Sequence, residues 1–145
     1  MSLKVELKPG ERLIIGSCVI TNSDQRARLY IDGKAPVLRE KDILTFATAN
    51  SPAKRVYFAV QLMYLDDNIE GMRSDYFSLV NDIVQAAPSC IGIIDQINNE
   101  ILTGDLYKAL RAAKRLIQFE QDIFANAAAG DASLPADGPA NGKSS

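Results

Sequence analysis

The first third of the chain alternates apolar and polar positions with the two-residue period of half-buried β-strands. Leu3, Val5 and Leu7 alternate with charged residues and predict a first strand. The apolar positions 13–15 and 19–21 predict a second strand that is interrupted at Gly16 and then continues. Turn-forming residues separate these segments at Pro9-Gly10, Asn22-Ser23-Asp24 and Asp32-Gly33. Residues 1–48 are therefore predicted to form a small antiparallel β-unit.

The clearest alternation lies between residues 26 and 31. Arg26, Arg28 and Tyr30 fall on one face of the predicted strand, and apolar residues fall on the other face. Guanidinium groups bind phosphate oxygens, and a tyrosine ring offers a flat surface on which a base stacks, so this face suits RNA. An ordinary solvent face, on which arginine stems cover apolar neighbours, has the same pattern. The residues alone leave both interpretations open.

From residue 51 onward the apolar positions recur with the period of α-helices. Ser51-Pro52 is typical of a helix start, with a capping hydroxyl before a proline in the first helical position. Four helices are predicted, separated by residues 66–71, Pro88 and Gly104. Short connections favour a four-helix antiparallel bundle over residues 51–126. Residues 127–145 are rich in Ala, Gly, Pro and Ser and predict a disordered tail, so the predicted fold class is α+β.

Length and charge add a constraint on where an anionic partner binds. A chain of 145 residues with 47% hydrophobic content is long enough for one compact core or for two small units. Residues 1–60 have ten Lys/Arg against six Asp/Glu, whereas residues 61–145 have six against twelve. This asymmetry places any anion-binding surface in the N-terminal part, although a solvated surface without a partner gives the same balance.

The residues needed for common catalytic and metal sites are missing from the sequence. There is no histidine, which is the usual general base near neutral pH and the commonest metal ligand. Cys18 and Cys90 are far apart and belong to no CxxC motif, and no nucleophile elbow or glycine-rich phosphate loop is present. We therefore expect neither an enzyme nor a cofactor. The sequence shows no signal peptide and no apolar run of membrane-spanning length, so a cytoplasmic protein is expected.

Four segments of the β-unit carry a family resemblance: GERLIIG (residues 10–16), RLYI (28–31), AP (35–36) and REKDI (39–43). They resemble segments of the carbon storage regulator CsrA, an RNA-binding β-protein. In that family, basic residues at the end of the first strand and an arginine in the last segment form the RNA surface across a dimer. The resemblance assigns these places to Lys8 and Arg39. Two departures are Leu7, where the family has a second arginine, and a shorter segment between Pro36 and Arg39.

A longer resemblance, reaching Phe124, rests on LKPGERLIIG, TNSDQRARLYIDG, APVLREKDIL and PAKRVYFAVQLMYL, in that order. In these segments and their spacing the chain resembles the FlbT family of flagellin synthesis repressors from alphaproteobacteria. The resemblance implies a post-transcriptional regulator that binds the 5′ untranslated leader of flagellin mRNA and represses translation or promotes mRNA degradation during flagellum biogenesis. The alternative is an adaptor that binds a flagellar protein, FlaF or flagellin, and affects RNA only indirectly.

Two sets of residues are the candidate binding sites. The RNA-binding set consists of Lys4, Lys8, Arg26, Arg28, Tyr30, Arg39 and Lys41. The basic ridge, on the predicted fourth helix, consists of Lys108, Arg111, Lys114 and Arg115. The ridge is either a solvated helix face or a second contact for RNA or an acidic partner. Because such small sheets are marginally stable alone, a homodimer or another homo-oligomer is also expected.

Overall fold

A computed structural model shows five β-strands followed by four α-helices among the residues that it describes, which confirms the predicted α+β class. The structure describes residues 2–133, and their side chains up to residue 127. The strands are β1 (Ser2–Leu7), β2 (Arg12–Ile15), β3 (Cys18–Thr21), β4 (Ala27–Asp32) and β5 (Val37–Arg39). The helices are α1 (Pro52–Asp66), α2 (Ile69–Ala86), α3 (Ile91–Leu102) and α4 (Leu106–Ser133). The chain forms two compact units, which divide between Leu79 and Val80.

The strands form two small antiparallel sheets. β1 pairs with β4 along the whole length of both strands, so that Ser2 lies opposite Asp32 and Leu7 opposite Ala27. β2 pairs with β3 on one side and with β5 on the other. Gly16 has a φ of 59° in the two-residue turn between β2 and β3, a conformation that glycine adopts easily. Because the chain reverses there, the predicted continuation of one strand past Gly16 is wrong, and β3 lies beside β2.

The two sheets share one apolar core, which determines which face of β1 meets water. Val5 and Leu7 from β1 and Leu13 from β2 are fully buried in this core. The partly buried residues packed against them are Ile15, Leu29, Ile31 and Val37. Side chains alternate between the two faces of a strand, so burial of Val5 and Leu7 leaves Lys4 and Glu6 on the outer face.

Helix α1 begins and ends as its sequence signals indicate. The Ser51 hydroxyl accepts a hydrogen bond from the Lys54 N–H at 3.3 Å, and Pro52 occupies the first turn. The helix ends at Asp66, and Asp67 has the left-handed conformation with a φ of 50°. The two adjacent aspartates therefore mark a helix end.

Side chains of α1 attach the helix to the segment around and after β5. The Tyr57 hydroxyl donates to the Asp42 backbone oxygen at 2.5 Å. The Gln61 side-chain oxygen accepts the Leu44 N–H, and the Gln61 amide donates to the Leu44 backbone oxygen, both at 2.9 Å. The Tyr64 hydroxyl accepts the Val37 N–H and donates to the Val37 backbone oxygen, both at 3.1 Å. Gln61 is only 3% exposed, so both of its hydrogen bonds with Leu44 are shielded from water. Because of these bonds, α1 lies in the same compact unit as the strands, whereas the sequence pattern placed a domain boundary before it.

The remaining helices differ from the sequence expectation mainly at their ends. The Asn68 side chain accepts the Gly71 N–H at 3.0 Å, and α2 therefore starts earlier than predicted, directly after a two-residue break. In the second unit α3 packs against α4, burying Ile94, Ile97 and Leu116 among others. Helix α4 continues to Ser133, so residues 127–133 of the predicted tail are helical. The rest of that tail, residues 134–145, lies outside the described residues.

Candidate nucleic-acid interface

The outer face of the β1–β4 sheet is formed by residues that the strand register places in pairs. Lys4 lies opposite Tyr30, and Glu6 lies opposite Arg28. Paired residues of an antiparallel sheet project from the same face, so all four stand on the side away from the core. The Tyr30 side chain is largely in solvent, with the residue 63% exposed. The sheet thus presents an aromatic ring with a lysine across from it and an arginine two residues along the same strand.

Arg28 forms an ion pair with the residue opposite it. Its Nη2 atom lies 3.4 Å from Glu6 Oε1, and both side chains are largely exposed. Exposed pairs of this kind contribute only about 0–1 kcal/mol, because water and salt screen them. A phosphate oxygen can therefore compete with Glu6 for the guanidinium.

Two further cations lie at one end of this sheet. Lys8 directly follows β1, and Arg26 directly precedes β4, next to the last pair of the ladder. The Asn22 side-chain amide donates to the Lys8 oxygen at 2.9 Å and to the Gln25 oxygen at 2.8 Å. Asn22 therefore fixes the backbone beside both cations. The local sequence indicated only a turn, because the bonds of Asn22 to the Leu7 and Lys8 oxygens span 15 and 14 positions.

Carboxylates reduce the positive charge of this surface without cancelling it. Glu6 lies opposite Arg28, and Asp32 accepts a hydrogen bond from the Ser2 hydroxyl at the other end of the ladder. The cations of the sheet and its flanks are Lys4, Lys8, Arg26 and Arg28. Glu11 also lies at this end of the sheet, where its Oε1 accepts the Lys8 N–H at 2.8 Å. Three carboxylates against four cations leave an excess of one positive charge on this face, which we call the cationic face.

Arg39 and Lys41 lie on the other sheet. Arg39 is the last residue of β5, and Lys41 lies in the single turn of 3-10 helix that follows. Both side chains are exposed. Nearby, the Arg12 N–H donates to Glu40 Oε1 at 2.9 Å, which attaches this turn to β2. Of the seven predicted RNA-binding residues, the structure places five on the β1–β4 sheet and its flanks, and two at the edge of the three-stranded sheet.

The basic ridge forms an exposed face of α4. Its four members are exposed, and they are the only basic residues between positions 74 and 142 of the sequence. Lys108 Nζ lies 3.7 Å from Asp105 Oδ2 at the start of the helix. The ridge belongs to the second compact unit, whereas the cationic face belongs to the first.

The groups with perturbed ionisation belong to the helical part of the chain. Burial raises the pKa of the Tyr76 hydroxyl and also that of the Cys90 thiol. Cys18, on β3, is exposed. Within residues 2–127, whose side chains the structure describes, no group of three or more His, Cys, Asp or Glu side chains is placed to hold a metal ion. Over the same residues no helix has the length and apolar character needed to cross a bilayer.

Comparison with known proteins identifies the family. The family model described as "Flagellar protein FlbT" matches residues 3–124. The chain is 60% identical over 124 residues to the "Probable flagellum biosynthesis repressor protein FlbT 1" of Bradyrhizobium diazoefficiens, with 85% of each chain covered. It is 50% identical over 124 residues to the "Probable flagellum biosynthesis repressor protein FlbT" of Rhodopseudomonas palustris, with 86% of this chain and 98% of that protein covered.

A more distant relative is the "Flagellum biosynthesis repressor protein FlbT" of Caulobacter vibrioides. It is 32% identical over 133 residues, which cover 90% of this chain and 94% of that protein. No solved structure matches the chain. The family model and these relatives all cover most of the sequence, and the range of the family model includes the strands of the cationic face from residue 3 onward. The chain therefore belongs to the FlbT family of flagellar proteins.

Proposed function

We propose that this protein is a post-transcriptional regulator that binds the 5′ untranslated leader of flagellin mRNA and represses flagellin synthesis. The names of its relatives as flagellum biosynthesis repressors support a regulatory role. The observation that most supports RNA as the ligand is the position of Tyr30, exposed directly opposite Lys4 and two residues from Arg28. A ring flanked by cations suits a single-stranded nucleic acid.

The proposed binding mode assigns a separate task to each part of the cationic face. A base stacks on the Tyr30 ring, while Lys4 and Arg28 bind the adjacent phosphates. Lys8 and Arg26 extend the contact to the end of the sheet, and Asn22 holds their backbone in place. Occupancy near the ribosome-binding region of the message would block initiation or expose the message to nucleases. This mode needs no cofactor and no catalytic step.

Arg39 and Lys41 are assigned a secondary role. The resemblance to CsrA gives Arg39 a place in an RNA surface, and its exposure at the end of β5 leaves it accessible. Because Arg39 lies on the other sheet, we assign it to a flanking phosphate and not to the base that stacks on Tyr30. Its substitution should therefore weaken RNA binding less than substitution of Lys4 or Arg28.

An adaptor for a flagellar protein such as FlaF or flagellin is the second candidate function. Leu102 and Tyr107 favour it, because both are exposed apolar residues on either side of the turn between α3 and α4. Exposed apolar residues in adjacent positions often mark a protein-binding surface. In this second case the purified protein alone would not bind the leader RNA.

Fluorescence anisotropy with a labelled flagellin leader tests the proposal. Lys4→Ala should weaken binding about three- to tenfold and reduce the slope of log affinity against log salt by about one, because one phosphate contact is lost. Tyr30→Ala should weaken binding without changing that slope, since stacking releases no counterion. Lys34→Ala is the matched control, because Lys34 is an exposed cation in the turn after β4. Equal effects of Lys34→Ala and Lys4→Ala would refute the assigned site.

A further inference from the structure

An apolar groove lies between α1, α2 and the segment that precedes α1. Its volume is about 950 Å³, and all of its lining residues belong to the first compact unit. Phe58 and Leu62 of α1 and Met72 and Leu79 of α2 contribute apolar walls, and all four remain partly exposed. Apolar side chains left in contact with water favour association with another apolar surface.

Phe46 projects beside this groove from a well-ordered turn. It is 88% exposed, although it is a large apolar residue. The Thr48 hydroxyl accepts the Thr45 N–H at 2.8 Å, and the Thr45 hydroxyl accepts the Thr48 N–H at 3.1 Å. The Ala49 N–H also donates to the Thr45 oxygen at 2.9 Å. These bonds fix the backbone of the turn, so little backbone entropy is lost when a partner covers the Phe46 side chain.

The groove also has one charge of each sign in its lining. Arg55 lies on α1 and Asp75 lies on α2. Within the part of the chain that the structure describes, neither has an ion-pair partner within 4.0 Å. The same surface therefore contains a protruding ring and an apolar groove, and also an unpaired cation and an unpaired anion.

We propose that this groove binds the same groove of a second copy of the chain. In a two-fold contact, if residue i of one copy touches residue j of the other, then j of the first touches i of the second. Phe46 of each copy would enter the groove of its partner, and Arg55 of each copy would pair with Asp75 of the other. This one arrangement buries both rings and neutralises both charges, which is the complementarity that favours a second copy as the occupant.

The size of the surface sets the expected affinity. Twelve residues line the groove, whereas stable interfaces have roughly 20–30 residues on each side. The dimer should therefore be reversible, with a dissociation constant of about 1–100 μM. Dimerisation can be measured without RNA, and RNA binding can be measured at protein concentrations at which the chain is monomeric. The two proposals can therefore fail independently of each other.

Sedimentation equilibrium of the full chain tests the proposal, with circular dichroism to confirm that each variant is folded. Arg55→Asp and Asp75→Arg should each weaken dimerisation about tenfold or more, and the double variant should restore it because the pair is re-formed with reversed signs. Phe46→Ser should also weaken the dimer about tenfold or more. Phe124→Ser, at a 61% exposed apolar residue in the second unit, is the control and should have no effect.

Four results would overturn the proposal. The first is a wild-type chain that stays monomeric up to about 1 mM. The second is a double charge-reversal variant no better than either single variant. The third is a Phe46→Ser variant that dimerises like the wild type. A monomeric chain that binds a different protein through Phe46 would also overturn it, because the occupant would then be another molecule.

Discussion

The side-chain amide of Asn22 donates a hydrogen bond to the backbone oxygen of Lys8, 2.9 Å away. The same amide donates to the Gln25 oxygen, the carbonyl directly before Arg26. One side chain thus holds the end of β1 and the start of β4 together. Backbone positions that are fixed before RNA arrives reduce the entropy lost on binding. Asn22 is therefore a positioning residue for Lys8 and Arg26.

Replacing Asn22 should affect both stability and RNA binding. Asn22→Ala removes these hydrogen bonds and should lower the free energy of unfolding by about 1–3 kcal/mol. RNA affinity should also fall, because Lys8 and Arg26 lose their common support. Urea unfolding and anisotropy measure the two effects, with Ser23→Ala in the same turn as control. Unchanged RNA affinity in a destabilised Asn22→Ala variant would show that the turn is structural only.

The buried Gln61 should be the most sensitive polar position of α1. Gln61→Leu leaves the N–H and the oxygen of Leu44 without partners, which should lower the free energy of unfolding by about 2–4 kcal/mol. Gln118→Leu is the matched control, because Gln118 is exposed and bonds only to the exposed Asp122 among the contacts observed. Equal urea midpoints for the two variants would contradict the anchoring role of Gln61.

Removing the Glu6 carboxylate from the cationic face should strengthen RNA binding. Glu6→Gln frees Arg28 from its ion pair and removes a charge that repels phosphate, so affinity should rise about two- to fivefold at low salt. The gain should shrink as salt increases. Glu70→Gln is the control, since Glu70 forms a comparable exposed pair with Arg73 on α2. A loss of affinity in Glu6→Gln would mean that Arg28 needs Glu6 for its orientation or does not bind RNA.

Alkaline pH should destabilise the fold through Tyr76. Burial raises its pKa above the ordinary value of 10.0, so the unfolded chain loses this proton at a lower pH than the folded chain. The free energy of unfolding is therefore unaffected well below pH 10 and falls as the pH rises above it, by up to about 1.4 kcal/mol per pH unit. The buried Cys90 thiol acts in the same direction.

Urea unfolding at about pH 8 and about pH 11 measures this effect. Tyr76→Phe should show a smaller decline between the two pH values than the wild type. Tyr107→Phe, at a half-exposed position, is the control and should keep the wild-type decline. Identical pH dependence in Tyr76→Phe and the wild type would contradict the assignment.

The sequence predicted the elements of this fold better than the pairing between them. Alternation of Leu3, Val5 and Leu7 is a local pattern, and the buried face of β1 follows it. The pairing of β1 with β4 joins residues about 25 positions apart, which no local period can indicate. The pair of Lys4 with Tyr30 was therefore not predictable, although both residues were in the candidate set.

The polar side chains that attach α1 to the strand unit could not be identified from the sequence either. Gln61 and Tyr64 occur in a helix whose apolar period is clear, and their polar atoms have no local partners. Their hydrogen bonds with Leu44 and Val37 explain why α1 joins the strand unit. Arg39 entered the RNA-binding set through the resemblance to CsrA, whereas strand pairing places it on a different sheet from Lys4 and Arg28.

Ultraviolet cross-linking of the bound leader RNA, followed by mass spectrometry of the linked peptides, tests the RNA interface most directly. Cross-links are expected in the peptides that contain residues 2–8 and 26–32, with Tyr30 as the main site and with a strong reduction in Tyr30→Ala. Cross-links confined to the basic ridge between Lys108 and Arg115, or no cross-links by purified protein at saturating RNA, would contradict it.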